Sequence, residues 1–124
     1  MVALEKQMGY LSDAGVDGFY IGGTTAEGAY LTEEERKEAF RLAKSTTGGK
    51  QTLYVVILRP HTQQVVSELK AFTSLEPAYA AAVTPYYYGV SQETIYDHYT
   101  RIADASDVPI MLYNIPQNTH NSIS

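Results

Sequence analysis

The chain has 124 residues, enough for one modest domain with its own core. Hydrophobic residues at 44% and charged residues at 19% read as soluble and globular rather than disordered, and a net charge of −5 argues against nucleic acid or an anionic membrane surface as the main partner. The absence of cysteine excludes thiol catalysis, disulfides and thiolate metal sites, and His61, His98 and His120 fit no metal-ligand spacing, so neither metal nor cofactor is expected.

The first predicted element is a helix over residues 2–14, with Leu4, Met8 and Leu11 on one face and Gly15 as its stop. A short apolar run at 18–22 follows as the first strand. Residues 32–44 read as the second helix. They open on Thr32 with Glu35 three positions later, a capping box, and place Ala39, Phe40 and Ala43 inward. A strand over 53–58 leads to a third helix over 62–72, with Val65, Val66 and Leu69 inward. Then come a strand over 80–84, a fourth helix opening at Ser91 and carrying Ile95, Tyr99 and Ile102, and a strand over 110–113.

The strand starts lie roughly 30 residues apart, the length of one strand-plus-helix unit. Their hydrophobicity is nearly continuous, which suits parallel strands buried on both faces. Repeated βα units imply an α/β fold with a parallel sheet. A doubly wound open sheet and a (β/α)8 barrel compete for it. No glycine-rich dinucleotide fingerprint follows any strand, which favours the barrel. A barrel needs eight strands and ~250 residues. Four strands and four helices therefore predict a partial TIM barrel, with residues 1–124 a fragment of a single barrel domain cut from a longer protein. No apolar run approaches the ~20 residues of a membrane helix. The N-terminus lacks the layout of a secretory signal, so a cytoplasmic location is expected.

Barrel enzymes do their chemistry where strands end and loops begin. Here those ends are residues 22–27 (Gly-Gly-Thr-Thr-Ala-Glu), Arg59-Pro60, residues 84–88 (Thr-Pro-Tyr-Tyr-Tyr) and residues 113–116 (Tyr-Asn-Ile-Pro). Gly22 and Gly23 let the backbone turn sharply, and Thr24 and Thr25 then offer two hydroxyls beside backbone N–H groups. Such a cluster suits a carboxylate; the competing reading is a turn whose threonines bond locally. Tyr113 closes a strand, and its phenol can donate and accept protons; the competing reading is a tyrosine packed on the rim. By itself, the Tyr86–Tyr88 run reads as an interface or lid.

In order and at their spacing, residues 15–28 (Gly-Val-Asp-Gly-Phe-Tyr-Ile-Gly-Gly-Thr-Thr-Ala-Glu-Gly), 83–88 (Val-Thr-Pro-Tyr-Tyr-Tyr) and 112–116 (Leu-Tyr-Asn-Ile-Pro) resemble the dihydrodipicolinate synthase and N-acetylneuraminate lyase family. The likeness runs from the first helix to the fifth strand of that family's barrel. It implies a class I aldolase in which a lysine ending the sixth strand forms a Schiff base with pyruvate or another 2-keto acid. Thr24 and Thr25 would bind the carboxylate, and Tyr113 would relay protons. Thr24 and Tyr87 would complete a hydroxyl triad with Tyr113. The tyrosine matching Tyr87 often reaches in from a neighbouring subunit, which implies a homo-oligomer.

The chain also departs from the pattern. Ala26 stands where the family has glycine; if that position needs positive φ, alanine strains the turn. Asn118 replaces the arginine of synthases that take aspartate semialdehyde, and asparagine suits a sugar hydroxyl. Together with the Gly-Val-Asp-Gly and Asp-His-Tyr segments, this leans toward 2-keto-3-deoxy sugar acids, with 4-hydroxy-tetrahydrodipicolinate synthesis as the alternative. The Schiff-base lysine itself has no match. Lys6, Lys37, Lys44, Lys50 and Lys70 all fall on predicted helices or polar connections, so the segment alone is expected to be inactive. A reading of a different class is a non-catalytic half-barrel that self-associates, or meets a complementary half, through its sheet edges and apolar inner face.

Overall fold

The computed structural model describes residues 1–124. The elements run α1 (Val2–Asp13), β1 (Gly18–Ile21), α2 (Glu33–Thr47), β2 (Thr52–Ile57), α3 (Thr62–Phe72), β3 (Tyr79–Val83), α4 (Gln92–Ala105), β4 (Ile110–Tyr113) and α5 (Pro116–Thr119), with 3₁₀ turns at Gly28–Tyr30 and Thr73–Leu75. The expected order holds, and the four strands form one parallel sheet in the order β1-β2-β3-β4. This is an α/β fold matching part of a TIM barrel. β1 and β4 are its edge strands.

Local chemistry explains the boundaries. Thr32 caps α2 by accepting from the Glu35 N–H, while the Glu35 carboxylate accepts the Thr32 N–H: the anticipated capping box. Those bonds to Thr32 also hold the Glu35 carboxyl below its ordinary pKa. Helix α2 runs three residues beyond the expected end, because Thr47 is buried and Gly48, at φ 56, supplies the left-handed stop. Ser91 caps α4 by accepting from the Thr94 N–H. The four-residue α5 was not anticipated; Pro116 starts it, its fixed φ suiting a first helical turn.

The two sheet faces differ. Met8, Phe40, Ala43, Val65, Leu69, Phe72, Ile95 and Ile102 come from the helices and pack against Ile21, Leu53, Val55, Ile57, Ala80 and Ala82. The opposite face carries Val56, Leu58, Ala81 and Val83, flanked by Tyr86 and Tyr113. On that inner face Tyr20, Tyr54 and Tyr79 are cross-strand neighbours and stack in file, with ring centroids 5.0 and 5.2 Å apart. Burial raises the Tyr20 phenol above its usual pKa, with Tyr54 and Tyr113 adding to the shift.

His98 is buried between three elements. Its Nδ1 shares a 2.8 Å hydrogen bond with the Thr62 hydroxyl, its Nε2 lies 3.1 Å from the Val83 carbonyl, and its ring meets Tyr99 edge-on. The carbonyl can only accept, so Nε2 carries the proton and Nδ1 accepts from Thr62 in the neutral ring. Burial pushes the imidazole below its ordinary pKa, against the opposing pull of the Val83 bond. A depressed folded value contributes stability that is present above the unfolded value, ~6.5, and is lost as pH falls through the folded value. Urea unfolding at pH 7.5 and 5.5 is expected to show a larger loss of stability in the wild-type chain than in His98→Gln. Equal losses would remove His98 as the cause.

Candidate active site

The loop after β1 is built by backbone bonding. Glu27 N–H donates to Thr24 O at 3.0 Å and Gly28 N–H to Gly23 O at 3.1 Å, folding residues 23–28 into a closed turn. Gly22, at φ 82, turns the chain out of the strand. Gly28 is packed so closely that a β-carbon on it would lie 1.9 Å from the Gly22 carbonyl oxygen. Position 26 does not take positive φ, so the condition under which alanine would strain the turn is not met. The left-handed residue is its neighbour Glu27, at φ 53, so alanine at 26 meets no such penalty.

This turn displays Thr24 and Thr25 to solvent at the C-terminal end of β1. The Thr24 side chain does not bond locally. Its Oγ1 lies 3.3 Å from the Tyr113 hydroxyl, at the end of β4. Three inter-strand spacings of ~4.8 Å separate β1 from β4 in a flat sheet, ~14 Å in all. The contact therefore requires the sheet to curl, as a barrel wall does. Tyr20 repeats the bridge lower down, donating to Met111 Sδ at 3.4 Å.

A groove of about 520 Å³ runs along this edge, with Thr24, Thr25, Tyr20 and Tyr113 among its lining residues. It brings together three of the expected site residues. Tyr87 and Asn118 are outside it. Tyr87 is 80% exposed in the loop after β3, edge-on to Tyr88 at 4.9 Å, and Asn118 is exposed on α5. No hydrogen bond joins either to the Thr24–Tyr113 pair. Tyr86 turns inward and donates to the Leu58 carbonyl at 2.9 Å, and its phenol is raised by burial.

Sequence reasoning missed the support beneath the loop. Arg36, 2% exposed on α2, donates through Nη1 to the carbonyls of Gly28 and Leu31 at 3.2 and 3.1 Å. Its Nη2 pairs with Glu68 Oε1 of α3 at 2.6 Å, and Arg59 Nε donates to Glu68 Oε2 at 2.7 Å. Burial pulls the Arg36 guanidinium below its usual pKa, opposed by Glu68 and reinforced by Arg59. The available signal was Arg36 beside Phe40 in the helical period.

No group of three or more His, Cys, Asp and Glu side chains is placed to hold a metal. No helix is long and apolar enough to cross a membrane. The lysines lie on helices or the α2–β2 connection. Lys37 pairs with Glu33 and Glu34, and Lys44 donates to the Leu75 carbonyl and Glu76. None ends a strand.

Parallel strands curled by cross-sheet side-chain contacts, with hydroxyls gathered at their C-terminal ends, define a partial (β/α)8 barrel. The chain belongs to the dihydrodipicolinate synthetase family, whose model matches residues 1–124. It is 34% identical over 121 residues to the 4-hydroxy-tetrahydrodipicolinate synthase of Flavobacterium psychrophilum, covering 98% of this chain and 41% of that protein. Among solved structures, it superposes with a TM-score of 0.93 and 30% identity on the chloride-inhibited dihydrodipicolinate synthase of Acinetobacter baumannii complexed with pyruvate, covering 98% of this chain and 42% of that one. A catalytic-lysine mutant of the Ruminococcus gnavus sialic acid aldolase, 23% identical with a TM-score of 0.87, shares the fold. The chain thus spans about two fifths of the length of the relatives it matches.

Proposed function

We propose that residues 1–124 are part of a single barrel domain that makes or breaks a carbon–carbon bond next to a pyruvate-derived imine. The observation that carries this reading is the Thr24–Tyr113 hydroxyl pair, set at two strand ends above a groove that Thr25 also lines. Thr24 and Thr25 bind the 2-keto acid carboxylate through hydroxyls and loop N–H groups. A lysine supplied by another βα unit attacks the C2 carbonyl and water leaves; the cationic imine takes up the electron pair of a C3–C4 bond as it breaks, and the enamine formed at C3 donates a pair to the aldehyde carbon when that bond is made. Tyr113 moves the proton between the carbinolamine oxygen and the aldehyde oxygen of the partner substrate, with Thr24 orienting its hydroxyl. Tyr87 completes the relay from a neighbouring copy, which accounts for its exposure and its separation from the pair.

Asn118 supports a 2-keto-3-deoxy sugar acid as the substrate, because a neutral amide pairs with a hydroxyl rather than clamping a second carboxylate. The synthase names of the relatives favour 4-hydroxy-tetrahydrodipicolinate synthesis as a second reading. Both use the same imine. A protein carrying this segment in a complete barrel, treated with pyruvate and borohydride, is expected to gain one reduced pyruvate adduct in its mass spectrum. The 124-residue chain alone is expected to gain none. A complete protein that stays unmodified would overturn the reading. Sugar-acid cleavage against condensation with aspartate semialdehyde then separates the two substrates.

A further inference from the structure

The loop between β3 and α4 holds Tyr87 in a conformation that tyrosine does not choose. Its φ is 77°, in the left-handed region. For a residue with a β-carbon this conformation is strained, and it persists only where the surroundings over-determine it. The loop has no ladder or helix to supply that constraint. A side chain from the far end of the chain does so instead.

Asn121, 5% exposed, lies in the segment that follows α5. Its Oδ1 accepts the Val90 N–H at 2.9 Å, and its Nδ2 donates to the carbonyls of Pro85 at 2.8 Å and Tyr88 at 2.9 Å. One amide therefore grips the loop on both sides of Tyr87. Its orientation is fixed, because a flipped amide would set oxygen against two carbonyls and nitrogen against an N–H. Asn121 is itself anchored: Thr119 Oγ1 donates to the Asn121 carbonyl at 2.9 Å and to the Ile115 carbonyl at 3.2 Å. Alongside it, Gln92 Nε2 donates to the Ser122 carbonyl at 2.7 Å, and the Ser124 N–H donates to Gln92 Oε1 at 3.1 Å. The segment after β4, the strand that ends at Tyr113, is thus stapled to the loop after β3, which carries Tyr87.

We infer that Asn121 is a positioning residue, which holds Tyr87 at positive φ and fixes the Tyr87 loop to the segment leading from Tyr113. Its catalytic meaning rests on the proposed role of Tyr87; its structural content does not. Two measurements test it. In the wild-type chain, both Asn121 side-chain protons should exchange slowly and show through-hydrogen-bond couplings to the Pro85 and Tyr88 carbonyls. Their absence overturns the inference without any variant.

In Asn121→Asp, an isostere with no N–H to donate, the Tyr87 backbone coupling and carbon shifts should leave the left-handed signature. The Val90 amide should stay protected, because aspartate keeps the oxygen that accepts its N–H, and β1 and β2 amides should stay as they were. A folded Asn121→Asp chain in which Tyr87 keeps its left-handed signature would reduce Asn121 to an ordinary stabilising residue and overturn the assignment. In a protein carrying the complete barrel, the same substitution is expected to lower kcat ~10- to 100-fold while the KM for pyruvate holds, since the carboxylate site lies on another loop. Failure of pyruvate trapping removes the proposed reaction but leaves the spectra of Asn121 and Tyr87 unchanged, so the two failures are distinguishable.

Discussion

Gly28→Ala is expected to dismantle the loop that carries Thr24 and Thr25. A β-carbon there lies 1.9 Å from the Gly22 oxygen and 2.6 Å from the Gly22 carbonyl carbon. Both partners are backbone, so no rotamer change relieves the overlap, and the turn must open. Opening breaks the Gly28 N–H bond to Gly23 and pulls the Gly28 carbonyl off Arg36. Overpacking a tight site typically costs ~1–3 kcal/mol, and a backbone clash with two broken hydrogen bonds belongs at or above the top of that range. Gly23→Ala is the control, since its β-carbon meets nothing within 4 Å and its φ is not positive. Denaturant midpoints should fall sharply for Gly28→Ala and hardly for Gly23→Ala. The Thr24 and Thr25 amide resonances should shift only in the former. If the two variants unfold at the same midpoint, the closed turn does not have the packing described.

The contrast between these two glycines shows what the sequence could and could not disclose. The strands were legible because apolar runs spaced by one βα unit leave few alternatives, and the start of α2 because Thr32 and Glu35 are a reciprocal pair. Thr24, Thr25 and Tyr113 were legible as strand-end residues, and the curl that joins Thr24 to Tyr113 follows from the barrel expectation. Gly28 was illegible, because the close approach of two backbones leaves no residue pattern beyond a glycine. Positive φ at Glu27 and Tyr87 was illegible for the opposite reason: the usual glycine or asparagine signal is absent. Asn121 carries no periodicity at all, and its three partners lie 31 to 36 residues away. Arg36 and Glu68 went unremarked, since a charge on a helix next to other charges carries no signal of burial.

That buried pair leads to the second large effect. Glu68→Gln is expected to destabilise the chain by about 3–5 kcal/mol, the range for breaking a buried ion pair from one side. The two single substitutions should not be equal. Removing Glu68 leaves Arg36, 2% exposed, with carbonyl partners only and with the Arg59 cation as an unopposed neighbour. Removing Arg36 by Arg36→Met leaves Glu68 still bonded to Arg59, whose side chain is 31% exposed and keeps access to water. Arg36→Met should therefore cost less than Glu68→Gln, and the double variant should fall short of the sum because one change removes the charge the other had stranded. Urea midpoints for the three variants measure this directly. Arg36→Met proving the worse of the two, or Glu68→Gln within about 1 kcal/mol of wild type, would show that the pair does not carry the loop. The site should register the ordering too. Arg36 holds Gly28 and Leu31 from beneath, and Gly28 closes the turn that sets Thr24 3.3 Å from Tyr113. A carboxylate on α3 thus reaches the hydroxyl pair through one guanidinium and one glycine, and loosening it is expected to shift the Thr24 and Tyr113 resonances before the β-sheet itself gives way.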